Sequence, residues 1–209
     1  MTSTGVAGGR GSRRKATSNV IKVLQVNAQH AKQAKHEINR WIDKQGSEYL
    51  VLVQEPYLYR GKPAIQPISA RKYYNNIDGV RTAIYARKGI KAWYIDHLSG
   101  KDATVLVTRI NKRATVVASL YMDYNENTPV VSEKIQDIVD YARSKGSALL
   151  LGIDSNCHST LFGNETNKRG EELEDFIAQN RLIVENTGRI PTFQTQWGTS
   201  IIDLSLIHI

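Results

Sequence analysis

The sequence predicts an α/β domain in which helices cover β-sheets. Three observations carry this. Short apolar runs rich in branched side chains, IKVLQVN, EYLVLVQ and SALLLGI, read as strands. Stretches with apolar residues three and four apart, AKQAKHEINRWIDKQG, TPVVSEKIQDIVDYARSKG and KRGEELEDFIAQN, read as helices. Between the first two helices lie several strand-like pieces with no long helix among them, which adds an antiparallel or mixed region.

Residues 1–19 are rich in Gly, Ser, Thr and Arg and lack the apolar core of a signal peptide, so they are predicted to be a disordered arm. IKVLQVN is the first strand and ends at Asn27. The helix that follows places Ala31, Ala34, Ile38, Trp41 and Ile42 on one face, with Gly46 set to end it. EYLVLVQ is apolar almost without a break, as in a strand buried on both faces, and ends at Glu55. RTAIYAR, GIKAWYI, ATVLVTRI and RATVVASLYM follow as strands; the last reaches Tyr121, with Asp123 and Asn125 just beyond. Thr128 is predicted to cap the second helix, with Pro129 in its first turn and Gly146 at its end. SALLLGI runs into Asp154 and Asn156. A third helix turns Leu173, Phe176 and Ile177 inward, and RLIVEN, PTFQTQ and SIIDLSL are short strands.

The bulk numbers fit this reading. At 209 residues, 41% hydrophobic and 23% charged, the chain suits one soluble domain with a real core. No apolar run is long enough to cross a bilayer. A single cysteine, Cys157, excludes an internal disulfide and fits a reducing compartment. The net charge is +8, and Arg10, Arg13, Arg14 and Lys15 of the arm supply half of it. Two readings of the arm stand level: a solvated tail, or a phosphate-seeking segment whose cations displace counterions from nucleic acid.

The ends of the strands carry the chemistry. Asn27, Glu55, Tyr121 and the pair Asp154 and Asn156 each terminate an apolar strand. A lone acid there is usually a turn former. Four such ends in one chain point instead to a site where strand ends converge, with oxygen ligands suited to a hard cation. Other residues have plainer readings. Trp41 and Phe176 are core, Cys157 is a small buried residue, and His158 has a surface or supporting role. The pairs Tyr57–Tyr59 and Tyr73–Tyr74 are equally suited to stacking on bases or to packing loops.

VQEP, SLYMDYN and LLLGIDSNCHS together resemble the endonuclease/exonuclease/phosphatase superfamily. With LQVN, the RG-x-x-L-x-x-F pattern at Arg169–Phe176, PTF at Pro191–Phe193 and TSIIDL at Thr199–Leu204, the chain is most similar to the apurinic-type endonuclease domain that begins non-LTR retrotransposon polyproteins. The resemblance covers residues 20 to about 204 and implies a four-layer α/β sandwich with two facing mixed sheets. It implies that Glu55 holds Mg²⁺ or Mn²⁺ with help from Asn27. By the same resemblance Asp154 orients or deprotonates the attacking water, and Asn156 and Tyr121 hold the scissile phosphate. It further implies DNA as partner, a monomeric domain, no membrane, a reverse transcriptase downstream and a nuclear setting.

The family also carries a Ser-Asp-His motif on a later strand, whose histidine pairs with the acid matched here by Asp203. The chain has no such motif, so the sandwich is expected to lack its last strand or strands and the fragment to cut little or nothing. LSLIHI at 204–209 can be encoded by a transposase adapter string used in sequencing libraries, so this tail is expected to be foreign and the domain to span 20–203. A phosphatase or RNA nuclease of the same fold, and a non-catalytic nucleic-acid-binding remnant, are the alternatives.

Overall fold

The computed structural model describes residues 21–125, 129–163, 165–185, 193–195, 198–200 and 203–208. The arm, with Arg10, Arg13, Arg14 and Lys15, and the expected cap Thr128 lie outside the described residues. The chain begins with β1 (Lys22–Asn27), α1 (Lys32–Asp43) and β2 (Tyr49–Gln54). A small hairpin follows, β3 (Leu58–Tyr59) and β4 (Lys62–Pro63), and then β5 (Ala70–Tyr73) and β6 (Thr82–Arg87). Next come β7 (Ala92–Tyr94), β8 (Ala103–Ile110), β9 (Arg113–Tyr121), α2 (Glu133–Ser144), β10 (Ala148–Asp154) and α3 (Lys168–Gln179). The described chain closes with β11 (Ile183–Val184), β12 (Phe193–Thr195), β13 (Gly198–Ser200) and β14 (Asp203–His208).

Two mixed sheets result. One has the order β1-β2-β6-β5 and the other β11-β14-β10-β9-β8-β7. In each, one parallel pair sits among antiparallel ones: β1 with β2, and β9 with β10. β12 and β13 form a separate antiparallel pair.

Side-chain alternation along β2 shows how the layers are made. Tyr49, Val51 and Val53 pack with Ile38 and Ile42 of α1. Leu50 and Leu52 point the other way and join Ile84 and Ala86 against Leu106 and Val117 of the second sheet. All six residues of β2 are therefore buried, as its unbroken apolar run predicts. On the far side, Ile135, Ile138 and Ala142 of α2 and Leu173 and Phe176 of α3 cover Val116, Ala118, Leu149, Leu151 and Ile153. Helix, sheet, sheet and helices make the four layers expected.

Between the sheets the packing is both apolar and hydrogen-bonded. The Gln54 amide, fully buried, donates to Ser119 Oγ at 3.0 Å and to the Gly152 carbonyl at 3.0 Å. Ser119 Oγ donates to the Val53 carbonyl at 3.1 Å. Gln25 donates to the Ile153 carbonyl at 3.0 Å and accepts from Ser205 Oγ at 3.0 Å. Thr82 and Thr104 hydroxyls meet at 2.9 Å. Each bond joins one sheet to the other, and such bonds have directions that apolar contacts lack.

One boundary differs from the sequence reading. The second helix starts at Glu133 after Ser132, not at Pro129, so PVV lies ahead of it. Gly146 does follow it, at φ +56°, where the chain turns into β10. Asp203–His208 form the strand read in SIIDLSL: β14 pairs with β10 over six positions and buries Leu204 and Leu206 completely. The strand beyond it is β11, paired at Leu206 and Ile207.

At Gly152 the two sheets approach each other closely. A Cβ there would lie 2.6 Å from Leu52 Cδ1 and 3.1 Å from Gln25 Oε1. Gly152→Ala is therefore expected to destabilise the protein by about 1–3 kcal/mol. The midpoint of thermal unfolding followed by circular dichroism is expected to fall by several degrees, and an unchanged midpoint would show that the sheets have slack.

Candidate active site

The strand ends that the sequence singles out meet at one end of the sandwich. β9, β10 and β14 lie side by side, and their register places Tyr121 opposite Asp154 and Asp154 opposite Asp203. Asn27 reaches across from β1 of the other sheet, and its Nδ2 donates to Asp154 Oδ2 at 2.6 Å. Asn27 Oδ1 in turn accepts from the Gln29 backbone N–H at 2.8 Å, which fixes the amide the right way round. The polar seam between the sheets ends here, so the same contacts that lock the layers aim this pair.

Asp154 is 1% exposed, and its Oδ1 is buried without a hydrogen-bond partner. Burial, with Asp203 and Glu55 nearby, pushes its carboxyl up to about 7, against the hydrogen bonds from the Asn156 N–H and Asn27. The carboxyl is thus poised between its two protonation states near neutral pH. Glu55 follows β2 in a left-handed conformation, φ +44°, held by its N–H to the Arg81 carbonyl and its C=O to the His30 N–H, both 2.8 Å. Its carboxylate is 3.5 Å from His30 Nε2. Asn156, also left-handed at φ +47°, donates from Nδ2 to the Met122 carbonyl at 2.8 Å.

Tyr121 carries a partner that the sequence does not reveal. The Arg81 guanidinium lies 4.4 Å from the centre of its ring. Arg81 Nε donates to Asp102 Oδ1, and its Nη atoms donate to Asp123 Oδ2 at 3.1 and 3.2 Å. Those bonds hold Arg81 charged well above the ordinary arginine range. Burial, then Glu55 and Asp154, raise the Tyr121 phenol, so it remains a neutral donor. Arg81, Asp102 and His30 are the site residues that sequence reasoning missed. Asp123 was noticed only by its nearness to Tyr121.

The other motifs resolve into supports. Arg169 donates to the Asp123 carbonyl at 2.6 Å and the Asn125 carbonyl at 3.1 Å, pinning the loop after β9. Gly170 admits the His158 carbonyl where a Cβ would lie only 1.7 Å from that oxygen. His158 is exposed, and burial raises the Cys157 thiol to about 11, which keeps it protonated as expected of a packing residue. His208 faces Leu149, five residues along β14 from Asp203. At a rise of about 3.3 Å per strand residue it is far outside the site.

The donor set fits a hard divalent cation. It consists of oxygens: Glu55 is a partly exposed carboxylate, Asn27 offers its Oδ1, and Asp154 brings a second carboxyl whose Oδ1 is buried. Among the described residues no three His, Cys, Asp or Glu side chains enclose an ion alone. Mg²⁺ does not require that, since one or two carboxylates and several waters suffice.

The fold is the one seen in solved endonuclease/exonuclease/phosphatase proteins. More particularly, residues 115–208 match the family described as endonuclease-reverse transcriptase. The endonuclease domain of TRAS1, a telomere-specific non-LTR retrotransposon, is 24% identical and has a TM-score of 0.71, with 88% of this chain and 83% of that one covered. The human Nocturnin catalytic domain, solved with a bound sulfate anion, is 12% identical with a TM-score of 0.59 over 90% and 81%. The 3′ phosphatase NExo from Neisseria, bound to a product DNA hairpin, is 13% identical with a TM-score of 0.55 over 90% and 85%. At these identities the likeness to the solved structures is one of fold. No curated protein matches the chain.

The raised Asp154 carboxyl makes a signed prediction. Its folded value of about 7 exceeds the ordinary 3.8, so the stability it contributes is present in acid and lost as pH rises through about 7. Asp154→Asn removes that loss. In urea unfolding with chelator present, the variant is expected to gain on the parent between about pH 4 and pH 8, by up to about 4 kcal/mol. A difference that does not change with pH would contradict the placement of this carboxyl.

Proposed function

We propose that this chain is the DNA-nicking endonuclease domain of a non-LTR retroelement, dependent on Mg²⁺ or Mn²⁺, whose nick primes reverse transcription in the nucleus. The observation that carries the reading is the convergence of Tyr121, Asp154 and Asp203 on one sheet with Asn27 on the other. The TRAS1 domain, named as an endonuclease of a non-LTR retrotransposon, and the pairing of endonuclease with reverse transcriptase in the matched family support the retroelement setting and a reverse transcriptase as polyprotein partner.

The chemistry follows from the residues. Glu55, with Asn27 Oδ1, is the group that would hold the cation. When bound, the cation offsets charge that develops on the phosphate oxygens. Asn27 fixes one oxygen of Asp154 and so orients the carboxylate that would take a proton from a water admitted to the site. The Asn156 amide keeps one N–H hydrogen beyond its bond to Met122, and this hydrogen and the Tyr121 hydroxyl donate to the phosphate without adding negative charge. Arg81, beside the Tyr121 ring, adds positive charge on that side. Asp203 keeps the local field negative beside Asp154, favouring the protonated acid once it has accepted a proton.

Nicking of supercoiled plasmid tests the proposal. Slow nicking that needs a divalent ion is expected, slow because His208 is out of reach of Asp203. Asp154→Ala is expected to lower the rate a hundredfold or more, a loss of the size seen on removing one transition-state contact, with plasmid binding retained. Glu55→Gln is expected to weaken Mg²⁺ binding in calorimetry with the fold intact. Cleavage by Asp154→Ala equal to the parent's, or an unchanged Mg²⁺ affinity in Glu55→Gln, would sink the assignment.

The arm is proposed as an additional phosphate contact. Its four cations, Arg10, Arg13, Arg14 and Lys15, are worth a change of up to about 3.6 in the slope of log affinity against log salt. Equal slopes with and without residues 1–19 would show that the arm does not touch DNA.

A further inference from the structure

Beside the candidate active site lies a second cleft, of about 630 Å³, with Lys32, Lys35, Arg60, Lys62, Lys72 and Tyr59 in its lining. No acidic residue lines it. Three of the cations here are held against aromatic faces. Lys35 lies 5.9 Å from the Tyr57 ring, Arg60 5.4 Å from the Tyr59 ring, and Lys72 5.0 Å from the nearby Tyr74 ring. Lys72 is further fixed by its bond to the Pro63 carbonyl at 2.7 Å. Burial and the neighbouring Lys62 lower its pKa, so positive charge is crowded here.

The backbone delivers these groups to the active-site side. Tyr57 is two residues beyond Glu55, and Lys32 opens α1 two residues after His30, which itself faces Glu55. The β3–β4 hairpin turns through Arg60 at φ +51° and Gly61 at φ +74°, and carries Tyr59 out to 61% exposure. Five cations share a lining that holds no acid, with the Asp78 carboxylate near only at the Gly61 turn, and a polyanion relieves their mutual repulsion. A phosphate chain fits better than a small anion, because the exposed cations are spread between Lys32 at the start of α1 and Arg60 and Lys62 on the β3–β4 hairpin, along an open cleft.

We infer that the Lys32–Arg60–Lys62 cleft is a second contact for the phosphate backbone of the DNA substrate, on the Glu55 side of the cut. The inference rests on the nuclease reading above. It assigns a use to the Tyr57–Tyr59 pair: the rings hold cations in place instead of stacking on bases.

The test is fluorescence anisotropy of a labelled, blunt DNA duplex titrated at several KCl concentrations in EDTA, so that no cleavage occurs. The triple variant Lys32→Gln, Arg60→Gln, Lys62→Gln is compared with Arg109→Gln, Lys112→Gln, Arg113→Gln. The second set lies at the β8–β9 turn, the end of those strands away from Tyr121, and removes the same charge. The cleft triple is expected to weaken binding at least tenfold near 0.1 M salt and to lower the salt slope by about 2–3. The distal triple is expected to leave the slope within about one unit of the parent. Equal effects of the two triples, no effect of the cleft triple, or a parent chain that does not bind duplex would each overturn the inference. A parent that binds through the cleft but nicks no faster than Asp154→Ala, where nicking is seen, would fail the nuclease reading alone.

Discussion

The structure depends on the hydrogen-bonded seam between its two sheets. Apolar layers can slide, because the hydrophobic effect rewards burial and is indifferent to direction. Gln54 cannot slide. Its amide is committed to Ser119 and to the Gly152 carbonyl, and an unmade bond in that buried setting would leave a costly bare polar group. Gln25 and Ser205, and Thr82 and Thr104, repeat the constraint along the seam. The bare Cα of Gly152 lets the layers come close enough for it to operate. Asn27 and Asp154 are the last pair in this series, so the alignment of the Asp154 carboxyl is a by-product of how the core is closed.

The electrostatics follow from that closure. Bringing Glu55, Asp154 and Asp203 to one end of the sandwich concentrates negative charge where burial already opposes ionisation. The fold answers in two ways. On the Tyr121 side it sets Arg81, itself held by Asp102 and Asp123. On the Glu55 side it leaves an oxygen-lined position open to a cation. Charge is therefore graded across the site, from a fixed guanidinium to oxygens that the proposed cation would join. A dianionic transition state needs positive charge on more than one side of the phosphorus.

Strands and their ends were legible because each ends a run of apolar residues with a polar one, a break visible in one dimension. Asn27, Glu55, Tyr121, Asp154 and Asp203 all sit at or beside such breaks. Arg81 was not legible. It precedes β6 like any solvent-facing arginine, and its partners Asp102, Tyr121 and Asp123 lie 21 to 42 residues away. Nothing in spacing marks such a pairing. His30 was hidden for a related reason: it meets Glu55 only because the turn after β1 runs through two left-handed residues, Gln29 and His30. The Arg169-Gly170 pattern was visible, but not its use in pinning the carbonyls after β9 and admitting the His158 carbonyl. The second helix was placed too early because Thr128-Pro129 makes a good start signal, yet the chain begins the helix at Glu133, where Ile135 and Ile138 reach the core.

β14 reaches Asp203 to its place only by docking along β10, and that has a consequence for synthesis of the protein. A nascent chain that has emerged as far as Asp154 has α1, α2 and most of both sheets within reach, but β10 still lacks its neighbour on one side. Its backbone groups from Leu149 to Asp154 remain an open edge, and Leu204 and Leu206 have yet to cover the core beneath. The acid that sets the field at the site arrives with the same strand. On the ribosome, then, the polypeptide acquires its complete acidic floor and loses its stickiest edge in a single late step, so that immature chains are at once chemically incomplete and in need of protection from one another.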